Sequence, residues 1–125
     1  MLIRVFIAIL ALLLCVIAAP ADKPKVIKYS EATWYVGKEV EVRGRVTSVT
    51  TSPFGTTFIN FGGEYPNQKF AGFIAAGSPM ATDQRLTMIQ GKTIGITGTI
   101  RIRDGKPEIE IVSADQITGL ESTER

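Results

Sequence analysis

Two stretches decide how this chain is read: GKEVEVRGRV, from Gly37 to Val46, and GKTIGITGTI, from Gly91 to Ile100. Both follow the pattern Gly-Lys-x-[Val/Ile]-x-[Val/Ile]-x-Gly-x-[Val/Ile], in the same phase, 54 residues apart. In the first, Val40, Val42, Gly44 and Val46 fall on one side of an extended chain, and Glu41, Arg43, Arg45 and Thr47 on the other. In the second, Ile94, Ile96, Gly98 and Ile100 repeat the apolar side. Alternation with period two is the mark of a half-buried strand. A glycine on the apolar phase weakens a strand, so it signals a bend, a bulge or a close approach. The expectation is that both strands bend inside a small barrel, where a Cβ at 44 or 98 would crowd the interior. Chance similarity of two β-rich runs is the competing reading.

The remaining elements fall into place around this pair. Ser30 can cap a short helix over Glu31–Val36, which Gly37 ends; two turns are too few to stand alone, so Trp34 or Tyr35 must lean on the domain. Ser52-Pro53-Phe54-Gly55 breaks the first strand. Thr56 to Phe61 reads as a second strand, with Thr57, Ile59 and Phe61 on one face and Phe58 and Asn60 on the other. Gly62 to Gln68 is a loop, in which Tyr65-Pro66-Asn67-Gln68 is expected to bury its tyrosine. Lys69 to Ala75 is a third strand, with Phe70 and Ile74 opposite Phe73. Thr82 to Gln90 suits a short helix with Leu86 and Ile89 inward, ended by Gly91. The fourth strand, 93–103, places Ile94, Ile96, Gly98, Ile100 and Ile102 together. Asp104-Gly105 is a hairpin turn leading to a fifth strand, Glu108 to Val112, and would set Arg101 opposite Glu108 as an ion pair. Helix, three strands, helix, two strands is the order of an all-β, five-stranded OB-fold, a partly open Greek-key barrel. The barrel is expected over residues 30–117.

The ends read differently. Arg4, then the unbroken apolar run Val5 to Ala18, then Ala19-Pro20-Ala21 is the order of a signal peptide over residues 1–21. The run of 14 residues is short beside the roughly 20 needed to span a bilayer; an uncleaved anchor is the alternative. Leu14 before Cys15 argues against a lipoprotein. Residues 22–29 read as a polar tether and 118–125 as a polar tail. The expected location is therefore outside the cytoplasm, periplasmic or extracellular.

Composition narrows the chemistry. The chain has no histidine, and its one cysteine, Cys15, lies in the signal segment. That removes the usual zinc ligands and nucleophile–base pairs, so no catalytic residues, metal or cofactor are expected. Of 14 Lys and Arg only Arg4 lies within residues 1–21, whereas all 12 Asp and Glu lie beyond them, leaving a mature balance of +1. Such a surface gives no strong pull towards phosphates, which rests on Lys and Arg. A binding face is expected where OB-folds place one, on the second and third strands between two loops. The outward phase offers Arg43, Arg45, Phe58, Asn60 and Phe73; the loops offer Phe54, Arg103 and Lys106. Rings flanked by cations suit single-stranded nucleic acid, where bases stack and cations follow the backbone. The competing reading makes Phe58 and Phe73 core residues and the arginines an ordinary solvated face.

The run Glu31-Ala32, Tyr35-Val36-Gly37-Lys38 and Val40-x-Val42-x-Gly44-x-Val46 resembles the opening of a bacterial OB-fold family found in exported proteins. Some of its members are attached to extracellular sugar-nonspecific nucleases. The likeness continues through Gly55-Thr56-Thr57-Phe58-Ile59-Asn60-Phe61, Tyr65-Pro66-Asn67-Gln68, Gly91-Lys92 and Gly105-Lys106-Pro107-Glu108-Ile109. It implies the fold and, by analogy, nucleic-acid binding; the catalytic domain of those nucleases is absent from this sequence. A looser resemblance is to small periplasmic OB-fold stress proteins. The two expectations are a single-stranded nucleic-acid binder and an envelope protein acting through protein or oligosaccharide contacts.

Overall fold

The computed structural model describes residues 23–120. The signal peptide expected over residues 1–21 and the last five residues of the expected tail lie outside the described residues. Eight strands are described: β1 (Lys25–Lys28), β2 (Glu39–Thr51), β3 (Thr57–Phe61), β4 (Phe70–Ile74), β5 (Thr93–Thr99), β6 (Arg101–Arg103), β7 (Lys106–Glu110) and β8 (Ile117–Thr118). Their order across the sheet is β6-β7-β4-β3-β2-β5-β8, with β1 beside β2. The β4–β7 and β1–β2 pairs are parallel; the others are antiparallel.

The repeated stretches pair with each other. Gly44 lies opposite Ile94, and Gly98 opposite Val40, so each glycine faces a β-branched residue of the other copy. The flanking bonds obey the same symmetry: Gly37 N donates to Ile100 O and Gly91 N to Val46 O. Ile100 N donates to Lys38 O and Val46 N to Lys92 O. The two copies form an antiparallel ribbon with a local two-fold axis. Each copy then changes partner at its last motif position. β2 leaves β5 after Arg45 and pairs with β3 from Val46, with a bulge between Val46 and Ser48, and at Ile100 the chain passes from β5, beside β2, to β6, beside β7. The barrel corners thus sit two residues past the glycines.

The glycines themselves make room. A Cβ on Gly44 would stand 2.5 Å from Tyr29 Cδ1 and 3.2 Å from Phe61, and one on Gly98 would overlap Ile109. Inside the barrel lie Val40, Val42, Ile59, Phe61, Phe70, Ile74, Ile96 and Ile109, all essentially without solvent contact. Leu86 and Ile89 close one end, in keeping with their spacing, although the segment is two 3₁₀ turns, Pro79–Thr82 and Gln84–Met88.

Several expectations need correction. The tether expected at 22–29 contains β1, whose Ile27 is a core residue. The tail expected at 118–125 begins inside the fold, since Thr118 belongs to β8 and Leu120 is buried. Short segments of this kind carry too little pattern to stand out from a linker. The first helix is a 3₁₀ helix, Tyr29–Tyr35, buried through Ala32 and leaning on the core through Tyr35, with Trp34 exposed. Ile102, expected inward, is exposed because the chain turns at Ile100. Between β5 and β7 no ladder forms, and Gln116 fills the gap. Its Nε2 donates to Thr97 O (3.0 Å) and Glu110 O (2.9 Å), while its Oε1 accepts from Val112 N (2.8 Å) and Ser113 N (3.2 Å). Among the described residues no helix is long and apolar enough to cross a membrane.

Candidate functional site

Directly opposed strand residues share a face. One outer row of the sheet therefore runs Ser48, Asn60, Ala71, Glu108, Arg101, and the next runs Thr50, Phe58, Phe73, Glu110. The period-two assignment of Phe58 and Phe73 to the outer face holds. Phe73 is nonetheless only 7% exposed, because Arg101 and Arg103 lie over its ring at 5.6 and 4.8 Å.

Tyr65, expected to be buried in its loop, is instead 52% exposed and stacks on Phe58, centroids 5.2 Å apart. It is Gln68 from the same loop that is buried. The loop re-enters the fold through Lys69 N, which donates to Phe61 O. Tyr65 and Phe58 then form one wall of a pocket of about 150 Å³, with Gln68 and Glu108 within it and Arg103 and Lys106 at its rim.

The hairpin after Arg103 turns through Asp104 and Gly105, both with positive φ, and pairs Arg103 with Lys106 and Arg101 with Glu108. The expected register is found. The expected Arg101–Glu108 ion pair is not, for both arginines reach diagonally. Arg101 meets Glu110 at 3.3 Å, and Arg103 approaches Glu108 at 3.7 Å, too far for a hydrogen bond. Glu108, expected to pair with Arg101, is 5% exposed. Burial raises its carboxyl pKa above the ordinary value, outweighing the opposing pull of Arg103 and Arg101; Asp104 adds to the rise. Phase alone could not reveal this, since Glu108 shares its pocket with Tyr65, Pro66 and Gln68 of a loop distant in sequence.

The other sequence-predicted residues are dispersed. Asn60 is wholly buried, its Nδ2 donating to Ser48 Oγ and Thr50 Oγ1 at 3.1 Å each, so it shapes the face from below. Arg43 and Arg45 lie on the half of β2 that pairs with β5, five to seven residues from Thr50, or about 16–23 Å along the strand. Arg43 is held by Glu41 at 2.6 Å. Phe54 is 89% exposed on the loop after β2. That loop sits at the Thr57–Ile74 end of the face, whereas the hairpin carrying Arg103 and Lys106 sits at the Phe70 end. The expected site thus resolves into Phe58, Phe73, Arg103 and Lys106 in one place, joined by Tyr65, Gln68, Arg101 and Glu108, which sequence reasoning missed. Among the described residues no three His, Cys, Asp or Glu converge to hold a metal ion.

No family model and no curated protein matches the chain. Solved structures do. A chain from Leishmania major Friedlin assigned as an aspartyl-tRNA synthetase is similar over 81% of this chain and 21% of its own, with TM-score 0.51 and 12% identity. An OBody, AM1L10, bound to hen egg-white lysozyme is similar over 75% of this chain and 94% of its own, with TM-score 0.53 and 18% identity. The fold is the all-β OB barrel. This chain spans about a fifth of the synthetase chain, and at these identities the likeness carries the fold alone.

Proposed function

We propose that this is an exported, non-catalytic binding module that takes single-stranded nucleic acid, with weak sequence preference, on the outer face of β3, β4 and β7. The observation that carries the reading is Tyr65 stacked on Phe58 and half open to solvent, with Arg103 and Lys106 at the rim of the same pocket. A base can stack on the open side of the tyrosine while cations meet its phosphate. The order of charge, apolar run and Ala-Pro-Ala in residues 1–21 supports export. One structural neighbour is named as a tRNA synthetase and the other is bound to a protein, so the likeness does not choose between ligand classes.

A second reading has its own support. Asp104, Glu108 and Glu110 interleave with Arg101, Arg103 and Lys106, and this even mixing suits contacts with an envelope protein or an oligosaccharide. Titration of fluorescent single-stranded oligonucleotides with the protein, at low and then rising salt, separates the two. Saturable binding that weakens linearly with log salt is the expected result. No binding at low salt ends the nucleic-acid reading and leaves the second.

A further inference from the structure

Three buried acceptor oxygens on this face meet no hydrogen-bond donor of the protein: Asn60 Oδ1, Gln68 Oε1 and Glu108 Oε1. Buried polar atoms are ordinarily satisfied, so each needs an explanation. Asn60 does not line the pocket walled by Tyr65 and Phe58, and its amide nitrogen is engaged by Ser48 and Thr50. Glu108 Oε1 has Arg103 Nη1 at 3.7 Å, an ion-pair separation beyond hydrogen-bond reach. Glu108 and Gln68 are each 5% exposed, and both line the pocket walled by Tyr65 and Phe58.

We infer that this pocket reads a nucleobase carrying an amino group, accepted by Glu108 Oε1 with Gln68 beside it, and that it disfavours thymine and uracil. The inference rests on the nucleic-acid reading above and deepens it. The pocket has room for one small planar group, and its aromatic wall suits a flat ring. Cytosine, adenine and guanine each present an amino group, and a carboxylate accepts from such groups. Thymine and uracil present a single imino N–H flanked by two carbonyl oxygens, one of which would then face the carboxylate. The buried charge that repels a carbonyl is the charge that a donor relieves. Arg103 Nη1, 3.7 Å from Glu108 Oε1, and Arg101, opposite in register, offset part of the buried charge, but at that distance the oxygen gains an ion pair and no hydrogen bond.

The test compares full-chain protein binding to oligo(dC), oligo(dA) and oligo(dT) of equal length at one salt concentration. Expected is a preference for dC or dA over dT of about fivefold or more, the low end of what one good base contact discriminates. In Glu108→Gln the preference collapses towards one, while affinity for dT holds or rises because a negative charge beside the phosphates has gone. Gln68→Met, which keeps bulk and removes the acceptor, narrows the preference and guards against misfolding of the first variant. Equal binding of the three oligonucleotides by the wild type overturns the inference and leaves the nucleic-acid reading intact. So does a preference unchanged in both folded variants. Absence of binding to any oligonucleotide overturns both.

Discussion

Gly98 of β5 lies directly opposite Val40 of β2, the symmetry mate of Gly44 opposite Ile94. At both places the missing Cβ is space that another side chain occupies, but the occupants differ. Ile109 at Gly98 is a fully buried core residue; Tyr29 at Gly44 is half-buried on the domain surface. A neighbour that can swing towards water yields more readily than one held on every side. Gly98→Ala should therefore cost more stability than Gly44→Ala. Overpacking of this kind costs about 1–3 kcal/mol, and valine at either position should cost more than alanine. Urea unfolding of the four variants checks this; equal destabilisation at the two sites would contradict the argument from the neighbours.

Gln116 holds the open side of the barrel through four hydrogen bonds, two given and two received. Gln116→Glu keeps the shape and the accepting oxygen but turns a second oxygen towards the carbonyls of Thr97 and Glu110. The expected destabilisation at neutral pH is about 1–3 kcal/mol, the cost of leaving such acceptors unmatched. A glutamate in that place favours its protonated form in the folded state, so stability should return as pH falls. A variant as stable as wild type at neutral pH would show that the bridge contributes little.

Glu108 bears on pH dependence directly. Its carboxyl pKa is raised in the folded state, first by burial, then by Asp104, against the lowering pull of Arg103 and Arg101. The folded protein thus holds this proton more tightly than the unfolded chain. Stability from this group is full below the ordinary glutamate value, about 4.3, and is lost as pH rises through the folded value. Relative to wild type, Glu108→Gln should gain stability near neutral pH, with the gain fading towards about pH 4. Thermal melts across that range read the difference; a gain that grows on acidification would contradict the sign.

Binding should separate rings from cations. Tyr65→Ala removes the open stacking surface and should weaken oligonucleotide binding by about 1–3 kcal/mol with little change in salt slope, because stacking releases no counterions. Tyr65→Phe should behave as wild type. Arg103→Ala should flatten the slope by about 0.7 for each single-strand phosphate that the arginine no longer neutralises. Arg45→Ala, on the far half of β2, should change neither. Weakening by Arg45→Ala equal to that by Arg103→Ala would move the binding face to the other half of the strand.

The alternation in 37–46 and 91–100 is local, and it determined the two long strands, their inward phase and the space demanded at Gly44 and Gly98. The Asp104-Gly105 pair likewise determined the hairpin register. These follow from period two and from turn conformation, which act between near neighbours. Tertiary structure decided the rest. It paired the repeats across a two-fold axis and placed the corners at Val46 and Ile100. It drew Lys25–Lys28 into the sheet and set Gln116 across the seam. It also assembled the site. Tyr65 reaches Phe58 through a loop, Glu108 is buried though its phase is outward, and Arg45 is carried away from Phe58 along a bending strand. Phase states which side of a strand a residue occupies. Burial and proximity depend on what distant segments lay over that side, which is fixed only when the barrel closes.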